Sequence, residues 1–257
     1  METLDQVPEG DRLTVSATLY VTYRRCPQQA LARVQGIYAA PTRASFKGAL
    51  MHRLIARHLT SGPIDDGELA LVCRQETGAN LNAQLGGVGL KPSEFDAVVS
   101  EVGELYRRFA ALPMDGAADP EVAFEDEMSQ GVILRGRIDA VFTDDDGARI
   151  VDWKTGADLG DDVASQLAFY AMAWERSSGE LPATTEAMSL VSGERLTTHP
   201  TADDVAATAS AVTAMVKALR EARRAGQDLD RTAGPHCRWC PLLEDCAEGL
   251  AARGILD

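Results

Sequence analysis

The sequence predicts a core of the α/β or α+β class with helical decoration, and three observations carry that expectation. Before residue 120 the apolar positions recur at helical spacing. From 120 to 154 they alternate with polar ones and are interrupted by Asp144-Asp145-Asp146-Gly147, a hairpin signal. Beyond 160, helix, strand pair and helix follow in turn.

Residues 16–35 (SATLYVTYRRCPQQALARVQ) read as two short helices broken at Cys26-Pro27, because proline disfavours helix in the residue before it. Residues 45–60 place Phe46, Leu50, Leu54 and Ile55 on one helical face and end at the breaker Ser61-Gly62-Pro63. Helices are expected over 65–82 and 93–112, the second capped by Ser93 ahead of Phe95, Val98, Val102 and Phe109. Strands are expected over 120–127, 132–143 and 148–154, then a helix over 161–177. A strand pair over 186–198 and a long Ala-rich helix over 201–225 complete the pattern. There is no internal repeat, and the one biased stretch is the Gly-rich LGGVGL at 85–90. A single domain, 1–257, is therefore expected in three parts: helical 16–119, sheet core 120–200, and helix with cysteine cluster 201–257.

With 257 residues, 45% of them hydrophobic, the chain has ample material for a core. No apolar run approaches the roughly 20 residues of a membrane span, and the opening METLDQVPEG is acidic and polar, unlike a secretory signal. A soluble cytoplasmic protein without a membrane partner is expected. The net charge of −14 argues against indiscriminate nucleic-acid binding. Residues 1–60, however, carry eight Arg and Lys against four acids, so this section is +4 and the remainder −18. A basic N-terminal surface on an acidic body is compatible with a DNA groove.

Across the expected hairpin, Asp152 and Lys154 share one face while Val151 and Trp153 share the other, since strand side chains alternate. A tight turn at 144–147 brings Asp139 opposite them. Such a set is either a solvated cross-strand ion pair or a functional site. The acids interrupt otherwise apolar strands, where charge is costly and tends to be functional. Paired carboxylates are also the hard ligands that Mg2+ or Mn2+ selects.

At the other end, Cys237-Arg-Trp-Cys240-Pro-Leu-Leu-Glu-Asp-Cys246 gathers three of the five cysteines. Thiolates at this density suit zinc or an iron–sulfur cluster. A fourth ligand must come from far away, and Cys26 is the candidate. Cys73, within Leu69-Ala-Leu-Val-Cys73, reads as a small buried hydrophobe, and no disulfide framework is expected.

Four stretches, in order, resemble motifs of the PD-(D/E)xK nuclease superfamily, specifically its RecB-type and CRISPR-associated exonuclease-like branch. Gly48-Ala-Leu-Met-His52 resembles its GxxxH helix, Gly136-Arg-Ile-Asp139 its GxxD strand, Asp152-Trp-Lys154-Thr-Gly156 its DxKTG strand, and Gln166-Leu-Ala-Phe-Tyr170 its QxxxY helix. The resemblance implies an α/β restriction-endonuclease-like core, a central mixed sheet flanked by helices with a C-terminal iron–sulfur clamp. It implies that His52, Asp139, Asp152 and the Trp153 carbonyl hold Mg2+ or Mn2+, and that Lys154 assists the attacking water. Gln166 and Tyr170 would meet the site edge or the DNA backbone, and Glu125 stands where the branch often carries a further acid. Cys26, Cys237, Cys240 and Cys246 would hold a [4Fe–4S] cluster that staples a loop of about 210 residues. The implied function is a DNA exonuclease acting on ends or single strands in repair, recombination, phage or CRISPR DNA processing. The sequence contains no GxxxxGK[ST] loop, so a separate helicase or CRISPR-adaptation protein is the implied partner. The competing readings are a non-catalytic DNA-end-binding module that keeps the cluster, and a zinc-stapled scaffold.

Overall fold

The structure, a computed structural model, describes residues 11–114, 116–160 and 162–256, the last four by backbone alone. The METLDQVPEG stretch and Asp161, the first residue of the expected 161–177 helix, lie outside the described residues. The elements run β1 (Leu13–Val15), α1 (Ala17–Arg25), α2 (Pro27–Val34), α3 (Arg43–Ser61), α4 (Leu69–Glu76), α5 (Asn82–Val88) and α6 (Pro92–Ala110). There follow β2 (Ala117–Ser129), β3 (Val132–Asp144), β4 (Gly147–Lys154), α7 (Val163–Ser178), β5 (Thr184–Ser189), β6 (Arg195–Thr198), α8 (Ala202–Ala225) and α9 (Ala247–Leu256).

Local chemistry accounts for most boundaries. Ser16 caps α1 by accepting from the Leu19 amide, and Pro27 opens α2 where its missing N–H costs nothing. Thr42 and Ser45 form a reciprocal capping box at α3, and Thr201 and Asp204 form another at α8. Ser93 is not the cap of α6. The helix starts earlier, at Pro92, whose fixed φ suits the first turn, and the Lys91 amide donates to Glu94 Oε2 at 2.8 Å. The expected 65–82 helix is also divided. A π-turn over Thr77–Leu81 separates α4 from α5, with the Thr77 hydroxyl donating to the Cys73 carbonyl at 2.8 Å. The Gly-rich stretch continues as α5 and stops at Gly89 in the left-handed region.

The six strands form one mixed sheet in the order β1-β3-β4-β5-β6, with β2 also paired to β3. β1 runs parallel to β3 and β4 parallel to β5, while β2–β3, β3–β4 and β5–β6 are antiparallel. Helices α3, α4 and α6 pack on Ala140, Phe142, Val151 and Trp153. Helices α1, α2, α7 and α8 pack with Leu134, Ile138, Val141 and Ile150. The architecture is an α/β fold with a mixed central sheet between helical layers, consistent with a restriction-endonuclease-like core.

One detail of register positions everything that follows. A strand has two edges, yet β3 has three partners. β2 lines one edge from Val132 to Thr143. The other edge is shared, with β1 at residues 132–134 and β4 only from Ala140 onward. Residues 135–139 of that edge lie between the two ladders, and Asp139 sits where β3 and β4 part.

Candidate active site

Strand alternation puts Val151 and Trp153 into the core against α3 and α6, where Trp153 meets Phe109 edge-on at 5.2 Å between ring centres. Asp152 and Lys154 therefore project from the opposite face. Asp152 is buried and Lys154 half-buried, with Nζ 2.7 Å from Asp152 Oδ2. Apart from this ion pair, Asp152 Oδ2 is a buried oxygen without a hydrogen-bond partner among the described residues.

Helix α7 crosses this face and delivers Gln166 and Tyr170, four residues and one turn apart. Gln166 Oε1 accepts from Lys154 Nζ at 2.6 Å. Its Nε2 donates to Asp152 Oδ1 at 3.0 Å and lies 2.9 Å from the Tyr170 hydroxyl. Gln166 thus holds acid and lysine in register, and burial followed by the charges of Asp152 and Asp139 keeps Tyr170 protonated.

Asp139 is brought to the same place by the parting of the strands. Its Oδ2 accepts from the Trp153 amide at 3.0 Å, and its Oδ1 lies 3.2 Å from His52 Nδ1 on α3. Burial alone would lower the His52 pKa, but Asp139 beside it and Asp152 beyond raise it to about 9. Burial and then the charge of Asp139 push the Asp152 carboxyl up to about 6, against the pull of Lys154. A carboxyl group so disfavoured as an anion is ready for a cation.

The motif glycines have steric reasons. A Cβ on Gly136 would lie 2.5 Å from the Phe124 ring, and one on Gly48 would lie 3.3 Å from Thr155 Oγ1, just past Lys154. The first keeps β2 close to β3, and the second lets α3 approach the end of β4.

Glu125 is not brought to this cluster. It faces Arg135 across the β2–β3 ladder, exposed and paired with it at 2.8 Å. Arg135 is four residues before Asp139, about 13 Å along a strand. The acid that sits across from Asp139 is Glu121, between the pairs Pro120–Ala140 and Val122–Ile138. Glu121 has φ 53° and bonds Arg137 at 2.5 Å, with Arg53, the neighbour of His52, at 3.5 Å. The spacing of two acids four apart on one strand face is visible in sequence, but the choice between them needs the register.

Cys26 and the three C-terminal cysteines flank the contact between the start of α2 and the segment after α8. Gln28, buried near the start of α2, donates to Asp228 at 3.0 Å and accepts from the Leu229 amide at 2.7 Å. Burial raises the Cys240 thiol, and nearby Cys26, Cys237 and Cys246 add to the effect. The amides of Gly234 and Gly249 point at the sulfurs of Cys237 and Cys246, at 3.4 and 3.3 Å. Among the described residues no three His, Cys, Asp or Glu side chains are gathered to hold a metal ion, here or at the carboxylates. Cys73 is buried and its thiol is raised by burial to about 11, as a small core residue should be. All five cysteines are unbridged.

A sequence profile of the PD-(D/E)XK nuclease superfamily matches residues 14–247, and the chain belongs to that superfamily. The superfamily is one of nucleases. A crystal structure of a Eubacterium rectale protein provisionally designated an exonuclease superposes with a TM-score of 0.57 at 14% identity, over 95% of this chain and 93% of that one. At that identity the likeness concerns the fold. The crystal structure of SSO0001 superposes more loosely, with a TM-score of 0.46 at 16% identity over 95% and 89% of the two chains. The "Gene 69 protein" of Mycobacterium phage D29 is 44% identical over 71 residues, 27% of this chain and 25% of the phage protein. No helix among the described residues is long and apolar enough to cross a membrane.

Proposed function

We propose that this chain is a divalent-metal-dependent deoxyribonuclease that degrades DNA from its ends, with a preference for single strands. The observation that carries this reading is the buried Asp152 Oδ2, without a hydrogen-bond partner and beside a second carboxylate and a lysine. Lys154 ion-pairs that oxygen at 2.7 Å, yet burial and the charge of Asp139 still push the carboxyl up to about 6, so a further cation there is favoured.

Asp139, Asp152, His52 and the Trp153 carbonyl are the residues that would hold Mg2+ or Mn2+. The donor set fits: two carboxylates and a carbonyl supply hard oxygen, and His52 supplies nitrogen once deprotonated. In a strand, the N–H and C=O of one residue face the same edge, so the Trp153 carbonyl faces the same side as its amide, toward Asp139. When bound, the metal activates a water and neutralises charge on the scissile phosphate.

The chain's own groups do the rest. Lys154, held by Asp152 and Gln166, orients the attacking water and offers its charge to the phosphate as negative charge builds there. Gln166 keeps Lys154 from swinging away, and Tyr170 steadies Gln166. Glu125 and its partner Arg135 form an outlying pair that the DNA backbone would meet only if it passed along β2.

Cys26, Cys237, Cys240 and Cys246 would hold a [4Fe–4S] cluster. Support comes from Cys237 and Cys246, whose sulfurs both lie within 3.6 Å of a Cβ placed on Gly249, and from amides directed at these two sulfurs, which stabilise thiolate. The cluster's work there is mechanical, tying the start of α2 to the tail. A motor that unwinds duplex would have to come from a separate helicase or CRISPR-adaptation partner, in repair, recombination or phage DNA processing.

The test is Mg2+- or Mn2+-dependent degradation of end-labelled DNA by Asp152→Ala and Lys154→Ala, with circular dichroism as the fold control. Each should abolish cleavage, and undiminished digestion by either removes the assignment. Iron and acid-labile sulfide in anaerobically purified protein test the cluster, and zinc alone would eliminate it.

A further inference from the structure

A groove of about 630 Å3 runs between α1, α2, the segment ahead of α7 and the cysteine-bearing tail. Its walls include Arg25, Arg33, Asp162, His236 and Trp239. Trp239 is 60% exposed, an unusual state for so large a ring. Ile37, also on the wall, and the adjacent Tyr38 are exposed as well. Three of the seven exposed large hydrophobics among the described residues therefore collect here, and a gathered apolar patch marks a binding surface.

The charges narrow the occupant. Arg33 lies over the Tyr38 ring at 5.2 Å, a stacked cation with its polar edge left for an anion. Arg25 is held in the wall by its ion pair with Asp162, so the phosphate contact falls chiefly to Arg33. Exposed aromatic rings beside arginine, in a chain whose first 60 residues carry eight Arg and Lys against four acids, match a single-stranded nucleic acid, whose bases offer free π-faces. A duplex does not fit as well, because its bases are already stacked on one another. The groove also adjoins the catalytic face, since Asp162 precedes Gln166 by four residues, about 6 Å of helical rise.

The geometry points to this groove as a single-strand subsite: a base of the DNA strand stacks on Trp239, and an adjoining phosphate is held by Arg33. The assignment rests on the deoxyribonuclease reading for its substrate, but its test requires no cleavage.

The experiment is binding of fluorescein-labelled oligothymidylate to the full chain without divalent metal, followed by anisotropy and by tryptophan quenching. Of the three tryptophans, Trp153 is buried and Trp174 partly buried, so stacking is read at Trp239. Trp239→Ala should weaken binding about tenfold to a hundredfold, the range of one stacked base. Trp239→Phe should keep most of the affinity and serves as the folding control. Arg33→Glu should weaken binding and flatten its salt dependence. Wild-type affinity in both Trp239→Ala and Arg33→Glu overturns the inference, as does equal affinity for a duplex of the same length. Should Trp239→Ala fail to fold, Arg33→Glu decides alone. Metal-dependent degradation that persists with groove-independent binding would sink the subsite and leave the nuclease reading standing. Trp239-dependent binding without any cleavage would do the reverse.

Discussion

The Trp153 amide donates to Asp139 Oδ2 at 3.0 Å, at the point where the β3–β4 backbone ladder stops at Ala140–Val151. A side-chain oxygen therefore takes over from the backbone carbonyl that a continued ladder would supply, and the strands part without orphaning that donor. The same carboxylate faces His52 with its other oxygen. Structural and proposed metal-binding roles meet in one residue.

These roles separate by substitution. Asp139→Asn keeps an acceptor for the Trp153 amide, so its stability should stay within about 1 kcal/mol of wild type. DNA cleavage should still fall by two orders of magnitude or more, about 3 kcal/mol of transition-state stabilisation. Asp139→Ala should add a stability loss of about 1–3 kcal/mol, because a half-buried amide loses its partner. Urea denaturation and release of acid-soluble label measure the two effects, and an active Asn variant would contradict the role.

The His52–Asp139–Asp152 cluster predicts a proton balance. His52, at about 9 against an ordinary 6.5, contributes stability that is full below pH 6.5 and lost as pH rises through 9. Asp152, raised from 3.8 to about 6, likewise favours the metal-free fold at low pH and loses that contribution as pH rises through 6. The metal-free protein should thus lose stability between about pH 4 and pH 6 through Asp152, and between pH 6.5 and pH 9 through His52. Mn2+ binding near pH 7.5 should release about one proton, from His52, which must be neutral to ligate. Calorimetry in buffers of different ionisation enthalpy reads that proton. It should vanish in His52→Gln, and wild-type binding without proton release would rule out His52 as a ligand.

Two glycines should respond differently to one added methyl. Gly136→Ala drives a Cβ into the Phe124 ring, which is buried and packed near Phe169, and should cost about 1–3 kcal/mol. Gly48→Ala meets only Thr155 Oγ1 at 3.3 Å, and alanine's better helix propensity offsets up to about 1 kcal/mol. Its stability should be near wild type while cleavage drops, because α3 carries His52. Thermal melts in the opposite order would refute the packing account.

The tail should come loose when Gln28 is lost. Gln28→Ala unpairs the Leu229 amide and removes the bond to Asp228, at a cost of about 1–3 kcal/mol. Trypsin should then cut sooner beyond α8, at Arg231, which is otherwise tied to Asp228 and to the Asp245 carbonyl. Cys240→Ala should share this phenotype, impairing folding or solubility more than chemistry. A soluble, stable but inactive Cys240 variant would indicate a direct role for the cysteine site.

The sequence by itself determined what depends on neighbours along the chain. The break at Cys26-Pro27, the hairpin at 144–147 and the sharing of one strand face by Asp152 and Lys154 all follow from local dihedral and alternation rules. The four-residue spacing of Gln166 and Tyr170 placed them on one helix face for the same reason. Local rules failed at Ser93, where a proline one residue earlier already met the needs of a helix start, and at β1, whose three residues are too few to show a period. Only the tertiary structure decided which residues meet across elements. It brought His52 to Asp139, set Gln166 between Asp152 and Lys154, and put Glu121 rather than Glu125 across from Asp139. The physical reason is register: one residue of strand slip moves a side chain to the other face, and that choice is made by packing and by how three strands share the two edges of β3.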